Sequence, residues 1–235
     1  MLMSTQLLRW GLYAICAIAP ATYVLASEGV LSKPRTTARF APTRGGFGAS
    51  YFPNVPLRTH EGREVRLYDD LLKDKAVVIT FMYTRCDGTC PGTTANLRKV
   101  QRELGDAVGR DVFMYSFTLK PVEDTPEALR AYAEAHDVGP GWLFLTGSPA
   151  DLELVRRRFG FVDPDPDVDA DRSSHVGVVL YGNVAHEQWA GCPCLSNPRV
   201  MLEQILWMIP EERRPLIGVE PHAPAEISQI PPIQP

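Results

Sequence analysis

The sequence AVVITFMYTRCDGTCP, residues 76–91, joins a largely apolar run to two closely spaced cysteines. Residues 76–82 predict a buried β-strand, because the run is short, apolar and rich in β-branched side chains. Apolar residues then recur at spacings of three and four through residues 93–104, which is typical of an amphipathic helix. Cys86 and Cys90 are therefore expected in the turn between a strand and a helix.

This position gives the two thiols a particular chemistry. The unpaired N–H groups and the positive dipole end of a helix favour a thiolate over a thiol. A separation of four residues also places both sulfurs on one side of a helical turn. Such a pair suits Cu(I), which prefers soft thiolate ligands, or it can cycle between dithiol and disulfide. The remaining alternatives are a structural disulfide and two buried cysteines that act as small apolar side chains.

The first 26 residues have the pattern of an export signal. Arg9 precedes an apolar segment, and Val24 and Ala26 supply small residues for cleavage before Ser27. The segment is also of marginal length for a membrane span, so an uncleaved anchor stays open. Either form predicts an exported protein, periplasmic or anchored facing the periplasm, where disulfides are permitted.

Composition divides the rest of the chain into one domain and two flanking segments. Residues 27–50 are rich in Pro, Gly, Thr and Arg and predict a flexible linker. Residues 211–235 are rich in proline and are expected to be a disordered tail. Residues 51–210 are enough for one domain with a substantial core. The formal net charge of −4 gives no reason to expect nucleic-acid binding.

Strands and helices alternate through this domain. The predicted strands are residues 65–67, 77–82, 112–119, 142–146, 176–181 and 185–189. The predicted helices are residues 93–104, 124–136, 149–159 and 198–208, the second of them capped by Asp124 or Thr125. This order predicts an α/β fold with parallel strand pairs, helices on both faces of the sheet and a terminal hairpin that turns at residues 182–183. Sites in such sheets lie beyond the carboxyl ends of the strands, where Cys86 is expected.

Two charged segments are interpreted as solvated. Residues 156–158 are three arginines and are expected on the exposed face of a helix. Residues 163–171 form an acidic loop whose prolines disfavour an EF-hand. Neither segment is assigned a ligand.

Further motifs follow the cysteines in a characteristic order. They are Cys90-Pro91, preceded by Phe81 and Tyr83-Thr84, then PVEDTPEALRAYA at residues 121–133, Trp142, Thr146-Gly147 and His175. Over residues 51–208 this set resembles the Sco/SenC family, thioredoxin-like copper proteins that help to assemble the copper centre of cytochrome oxidase. The resemblance implies a thioredoxin-like fold with a central mixed sheet. It also implies that Cys86, Cys90 and His175 bind copper.

Two positions depart from the family pattern. Lys120 stands where the family usually has Asp, and Ser174 stands where an Asp commonly precedes the histidine. Both changes would remove carboxylates that orient and charge-balance a metal site.

A second cysteine pair, Cys192 and Cys194, also lies outside the family pattern. The two residues could form a second dithiol that exchanges with Cys86 and Cys90, a separate soft-metal site, or a local strained disulfide. We expect them not to be primary copper ligands, because they are absent from the motifs that carry the resemblance.

Two functions compete for the first cysteine pair. One is a non-enzymatic copper-binding assembly factor that delivers Cu(I) to the copper-bearing subunit of cytochrome c oxidase or another copper or thiol protein, or prepares that partner's thiols. The other is an exported thiol–disulfide oxidoreductase without a copper-delivery role, with Cys86 and Cys90 as its redox pair. His175 distinguishes them, because copper retention needs all three side chains whereas exchange needs the thiols. A peroxidase is disfavoured, because the motif does not supply one singly activated cysteine.

Overall fold

The computed structural model describes residues 50–171 and 177–217. Its centre is a seven-stranded sheet with the spatial order β2-β1-β5-β4-β3-β6-β7. The strands are β1 Pro56–Thr59, β2 Glu64–Arg66, β3 Ala76–Met82, β4 Val112–Thr118, β5 Trp142–Thr146, β6 Val178–Asn183 and β7 Gln188–Pro193. The central strands β3, β4 and β5 are parallel, whereas β1 joins β5 and β6 joins β3 in antiparallel pairs. The predicted mixed α/β sheet is confirmed.

Helices connect these strands. They are α1 Cys90–Leu104, α2 Pro126–Ala135, α3 Pro149–Arg158, α4 Pro166–Ala170 and α5 Pro198–Trp207. Before α2, α3 and α5, the side chains of Thr125, Ser148 and Asn197 accept hydrogen bonds from backbone N–H groups of the first turn, which also contains a proline. Of the two predicted caps for α2, the structure therefore has Thr125. Within the described ranges, no helix is long and apolar enough to cross a membrane.

Separate apolar clusters cover the two faces of the sheet. Val78 of β3 packs in one cluster with Leu97 of α1 and Ile205 of α5. Its neighbour Ile79 lies in the other cluster with Val155 of α3. Every residue of β3 is buried, which explains why its sequence is apolar at all positions but Thr80 instead of alternating. Helices on both faces were predicted and are observed.

The β6–β7 hairpin differs from the prediction, which placed its turn at residues 182–183. Both residues lie inside β6, and the turn follows at residues 184–187. A Cβ atom at Gly182 would come within 2.4 Å of the Trp189 side chain. The glycine is therefore required because this ring lies against the backbone of β6, and not because the chain reverses there.

The charged segments also differ from the prediction. Arg156 is only 4% exposed, and its guanidinium pairs with Glu153 at 2.9 Å and with Asp169 at 2.6 Å. The expectation of a solvated face is wrong for Arg156, because the acidic loop folds back over it through the short helix α4. Arg157 remains largely exposed, as expected.

The flanking segments fall mostly beyond the described part of the chain. The predicted signal segment and all of the linker except residue 50 lie outside it. The first residues of the predicted tail, Glu211–Ile217, form a 3-10 helix. There the Arg214 Nε atom donates a hydrogen bond to the carbonyl oxygen of Ile209. Residues 218–235 lie outside the described ranges.

Candidate thiol and metal site

Cys86 and Cys90 lie where the sequence predicts them, in the connection between β3 and α1. Cys90 is the first residue of α1 and Pro91 occupies its first turn. The backbone N–H of Cys86 donates to the carbonyl oxygen of Tyr83 at 3.3 Å, which turns the chain after β3. The two cysteines are 9% and 2% exposed, so Cys86 lies nearer to the surface.

The environments of the two thiols favour different protonation states. Burial disfavours the Cys86 thiolate, but hydrogen bonds from the Cys90 thiol, the backbone N–H groups of Cys90 and Gly88 and the Tyr83 hydroxyl outweigh burial and lower the pKa of Cys86. Burial, the hydrogen bond with Cys86 and the negative charges of Cys86 and Cys194 raise the pKa of Cys90 to about 12. Cys86 is therefore the more readily ionised thiol of the pair, and Cys90 holds its proton more firmly.

Tyr83 and Lys120 extend the site on the side of Cys86. Burial and the hydrogen bond with Cys86 raise the pKa of Tyr83 to about 12, so the phenol stays protonated and donates to the sulfur. The Lys120 Nζ atom lies 4.2 Å from the centroid of the Tyr83 ring. At the position where the family usually has Asp, this chain thus places a cation close to the cysteine turn.

Asp124 anchors the residues that lead into the cysteine turn. Its carboxylate is buried, with the residue 1% exposed, and it accepts hydrogen bonds from the backbone N–H of Thr84 at 3.2 Å and from the Thr84 hydroxyl. The hydroxyl of Thr118, the last residue of β4, donates to the same carboxylate. One buried carboxylate therefore ties the cysteine turn to the end of the neighbouring parallel strand.

Sequence reasoning assigned no site role to Tyr83, Lys120 or Asp124. Asp124 is one of the two predicted caps of α2. The sequence cannot distinguish a helix cap from a buried anchor, because both roles require a side chain that accepts hydrogen bonds from backbone N–H groups. Lys120 departs from the family pattern, and that departure predicts the loss of a carboxylate but not the contact with Tyr83. A signal was present for Tyr83, which lies three residues before a reactive cysteine in a turn.

The second pair lies beside the first. All four cysteines of this region belong to one buried cluster, and none of the four is in a disulfide. Cys192 lies in β7 opposite Val179, and Cys194 follows the end of that strand. The sequence predicts the second strand of the hairpin at residues 185–189, which leaves Cys192 outside it. The observed strand β7 is shifted along the chain and includes Cys192.

His175 and Ser174 lie outside the described residues. Gly177, two positions later in the sequence, is described. Its carbonyl oxygen accepts a hydrogen bond from the Cys194 N–H at 2.9 Å. A Cβ atom at Gly177 would lie 2.9 Å from the Cys194 sulfur and 4.0 Å from the Thr89 hydroxyl oxygen. Gly177 is thus positioned between the second cysteine pair and the residue that precedes Cys90.

The donor set of the described part is incomplete for a metal centre. Over residues 50–171 and 177–217, no group of three or more His, Cys, Asp or Glu side chains is arranged to hold a metal ion. Cys86 and Cys90 supply two soft donors, which suit Cu(I). The third ligand implied by the resemblance to the Sco/SenC family is His175.

Comparison with known proteins identifies the family. The SCO1/SenC family model matches residues 53–208. The chain belongs to the SCO1/SenC family. A curated relative, the SCO1 protein homolog of Bacillus subtilis strain 168, is 32% identical over 99 residues, covering 41% of this chain and 50% of that protein. The chain therefore aligns with half the length of this relative.

Solved structures of Sco proteins share the fold. Copper-bound ScoI from Bradyrhizobium japonicum superposes with a TM-score of 0.53 at 22% identity, covering 66% of this chain and 96% of that one. BsSco superposes with a TM-score of 0.52 at 23% identity, covering 64% of this chain and 88% of that one. BsSco is described as a member of the Sco family of cytochrome c oxidase assembly proteins, with a disulfide switch. These likenesses confirm the predicted thioredoxin-like α/β fold.

Proposed function

We propose that this protein is an exported copper-binding assembly factor that holds Cu(I) through Cys86, Cys90 and His175. It passes the ion to a copper or thiol protein, for which the copper-bearing subunit of cytochrome c oxidase is the expected partner. The observation that carries this proposal is the buried pairing of Cys86 with Cys90 in one turn beyond β3. Copper bound to the B. japonicum ScoI and the oxidase-assembly description of BsSco support it.

The chemistry of the pair suits Cu(I) as cargo. Two thiolates and one imidazole provide three soft or intermediate donors, a set that Cu(I) accepts in trigonal geometry. The lowered pKa of Cys86 makes one thiolate available, whereas the raised pKa of Cys90 means that binding must displace a proton from the second sulfur. Copper affinity should therefore rise with pH through the neutral range.

The proposal is tested by competition with a Cu(I) chelator. The reduced full chain, its His175→Ala variant and a matched His186→Ala control are compared under anaerobic conditions. His186 is exposed on the turn between β6 and β7 and serves to report any unspecific effect of losing an imidazole. We expect His175→Ala to weaken copper binding at least about 10-fold, since even partners of metal ligands contribute 10- to 100-fold. Equal affinities in all three proteins would remove His175 from the site.

Thiol–disulfide exchange by Cys86 and Cys90 is the second candidate. It is favoured by the opposite pKa shifts of the two thiols, a division found in redox pairs in which one sulfur attacks. Exchange requires no imidazole ligand. His175→Ala should leave the rate of exchange with a model disulfide unchanged while it lowers copper affinity.

A further inference from the structure

The register of the sheet brings the second cysteine pair to the first. β6 runs antiparallel to β3, so the beginning of β6 lies at the carboxyl end of β3. β7 runs antiparallel to β6, and Pro193 pairs with Val178, the first residue of β6. The end of β7 therefore returns to the sheet edge from which the cysteine turn departs.

Side-chain contacts then fix the segment after β7 against α1. A Cβ atom at Gly92 would lie 2.9 Å from a methyl carbon of Leu195, so the loop packs on the first turn of α1. One turn further, the Asn96 side-chain amide donates to the carbonyl oxygen of Ser196 at 3.2 Å. Cys194, immediately before this loop, is held beside the turn of α1 that begins at Cys90.

The four thiols form a series within one buried cluster. Cys86 and Cys90 share a hydrogen bond between their side chains. The electrostatic influence of Cys194 reaches both Cys90 and Cys192, so Cys194 is the member of the second pair that neighbours Cys90. Cys192 and Cys194 are both buried while Pro193 between them is exposed, which places both sulfurs on the same side of the chain.

We propose that Cys194, supported by Cys192, is an internal resolving cysteine for the disulfide that forms between Cys86 and Cys90. This inference rests on the thiol chemistry of the proposed function, in which the first pair must be reduced before it can accept copper. It assigns a redox role to a pair of residues outside the family motif.

The exchange between the two cysteine pairs conserves electrons and protons within the chain. The Cys194 thiolate attacks the Cys90 sulfur of the Cys86–Cys90 disulfide, a Cys90–Cys194 bond forms, and Cys86 leaves as a thiolate. The Cys192 thiolate then attacks Cys194 and releases Cys90. Cys86 and Cys90 take up the two protons that Cys194 and Cys192 lose when they become thiolates.

The products are a reduced first pair and an oxidised second pair. An external dithiol protein or small thiol in the same compartment reduces the Cys192–Cys194 disulfide, and its removal draws the exchange forward. Two electrons and two protons thereby pass from that thiol to Cys86 and Cys90.

The test traps the mixed disulfide in the full chain. Cys86→Ser removes the competing partner of Cys90, and it is combined with Cys192→Ser in one protein and with Cys194→Ser in the matched control. After mild oxidation with glutathione disulfide, peptide mapping should find Cys90 linked to Cys194 in the first protein and no link from Cys90 to Cys192 in the control. A link in neither protein, or an equal link in both, would overturn the assignment of Cys194.

Two further measurements separate this inference from the proposed function. Rapid alkylation of the unsubstituted chain during reduction of its Cys86–Cys90 disulfide should trap the same Cys90–Cys194 link without any substitution. A Cys192→Ser, Cys194→Ser variant should keep its copper stoichiometry but lose the internal exchange. Loss of copper in that variant would instead make the second pair a metal site and contradict the resolving role.

Discussion

The Tyr83 hydroxyl donates a hydrogen bond to the sulfur of Cys86. The same aromatic ring carries Lys120 on its face. Neither metal-ligand motifs nor cysteine spacing includes the hydrogen bond from Tyr83, yet this bond contributes to the lowered pKa of Cys86.

Tyr83→Phe should raise the pKa of Cys86 and slow its alkylation at neutral pH. A hydrogen bond to a charged group contributes about 1.5–3 kcal/mol, and this contribution to the thiolate is lost with the hydroxyl. The alkylation rate of Cys86 as a function of pH measures the effect. Tyr51→Phe is the control, because its hydroxyl donates to the Arg158 carbonyl oxygen at 2.9 Å, away from the cysteines. An unchanged profile in Tyr83→Phe would show that the bond does not stabilise the thiolate.

In the metal-free protein, Cys86 and Cys90 should react in well-separated pH ranges. The pKa of Cys86 is lowered, so its thiolate is present below the pH at which an ordinary cysteine ionises. The pKa of Cys90 is raised to about 12, so this residue remains a thiol until strongly alkaline pH. Mass spectrometry after brief alkylation at graded pH should find Cys86 modified first. Simultaneous modification of both residues is the contrary result.

Asp124→Ala should destabilise the fold and loosen the cysteine turn. The substitution leaves the Thr84 N–H and the Thr118 hydroxyl without their acceptor, at a cost of about 1–3 kcal/mol for the buried hydroxyl and less for the partly buried N–H. Denaturant unfolding measures this loss, and Glu123→Ala, which alters an exposed neighbour, is the control. A variant as stable as the control would show that the buried carboxylate is not the anchor described above.

Gly177→Ala should impair the exchange between the two cysteine pairs more than copper binding. The added methyl group would lie 2.9 Å from the Cys194 sulfur and would push it from its position, whereas Gly88→Ala places a methyl group 3.8 Å from the Cys86 sulfur, an ordinary contact. The rate of internal disulfide exchange in the two variants provides the measurement. If Gly88→Ala slowed the exchange and Gly177→Ala did not, the position inferred for Cys194 would be wrong.

Much of the fold could be predicted from local sequence patterns. The apolar run of β3, the proline-marked helix starts and the cysteine turn are each determined by neighbouring residues, and each was predicted. The contacts that were missed join distant positions. Asp124 reaches Thr84 across 40 residues, and Arg156 is buried only because Asp169 folds back over it. Gly182 looked like a turn residue because no local signal reveals that the Trp189 ring lies against it.

The cysteine pairs show the same limit at the site itself. The chemistry of Cys86 and Cys90 follows from a strand, a turn and a helix that are adjacent in sequence. The proximity of Cys194 to Cys90 depends on the antiparallel register of two further strands. From the sequence, thiol–disulfide exchange between the two pairs was therefore one of three alternatives, beside a separate metal site and a local disulfide. The sheet topology favours exchange over these two.

Anaerobic Cu(I) titration of the reduced full chain, with copper and reactive thiols counted on the same sample, tests the copper assignment most directly. We predict one tightly held Cu(I) per chain, protection of Cys86 and Cys90 from alkylation when copper is bound, and loss of that copper in both Cys86→Ser and Cys90→Ser. Undiminished copper in either variant after dialysis against a competing chelator would contradict the account.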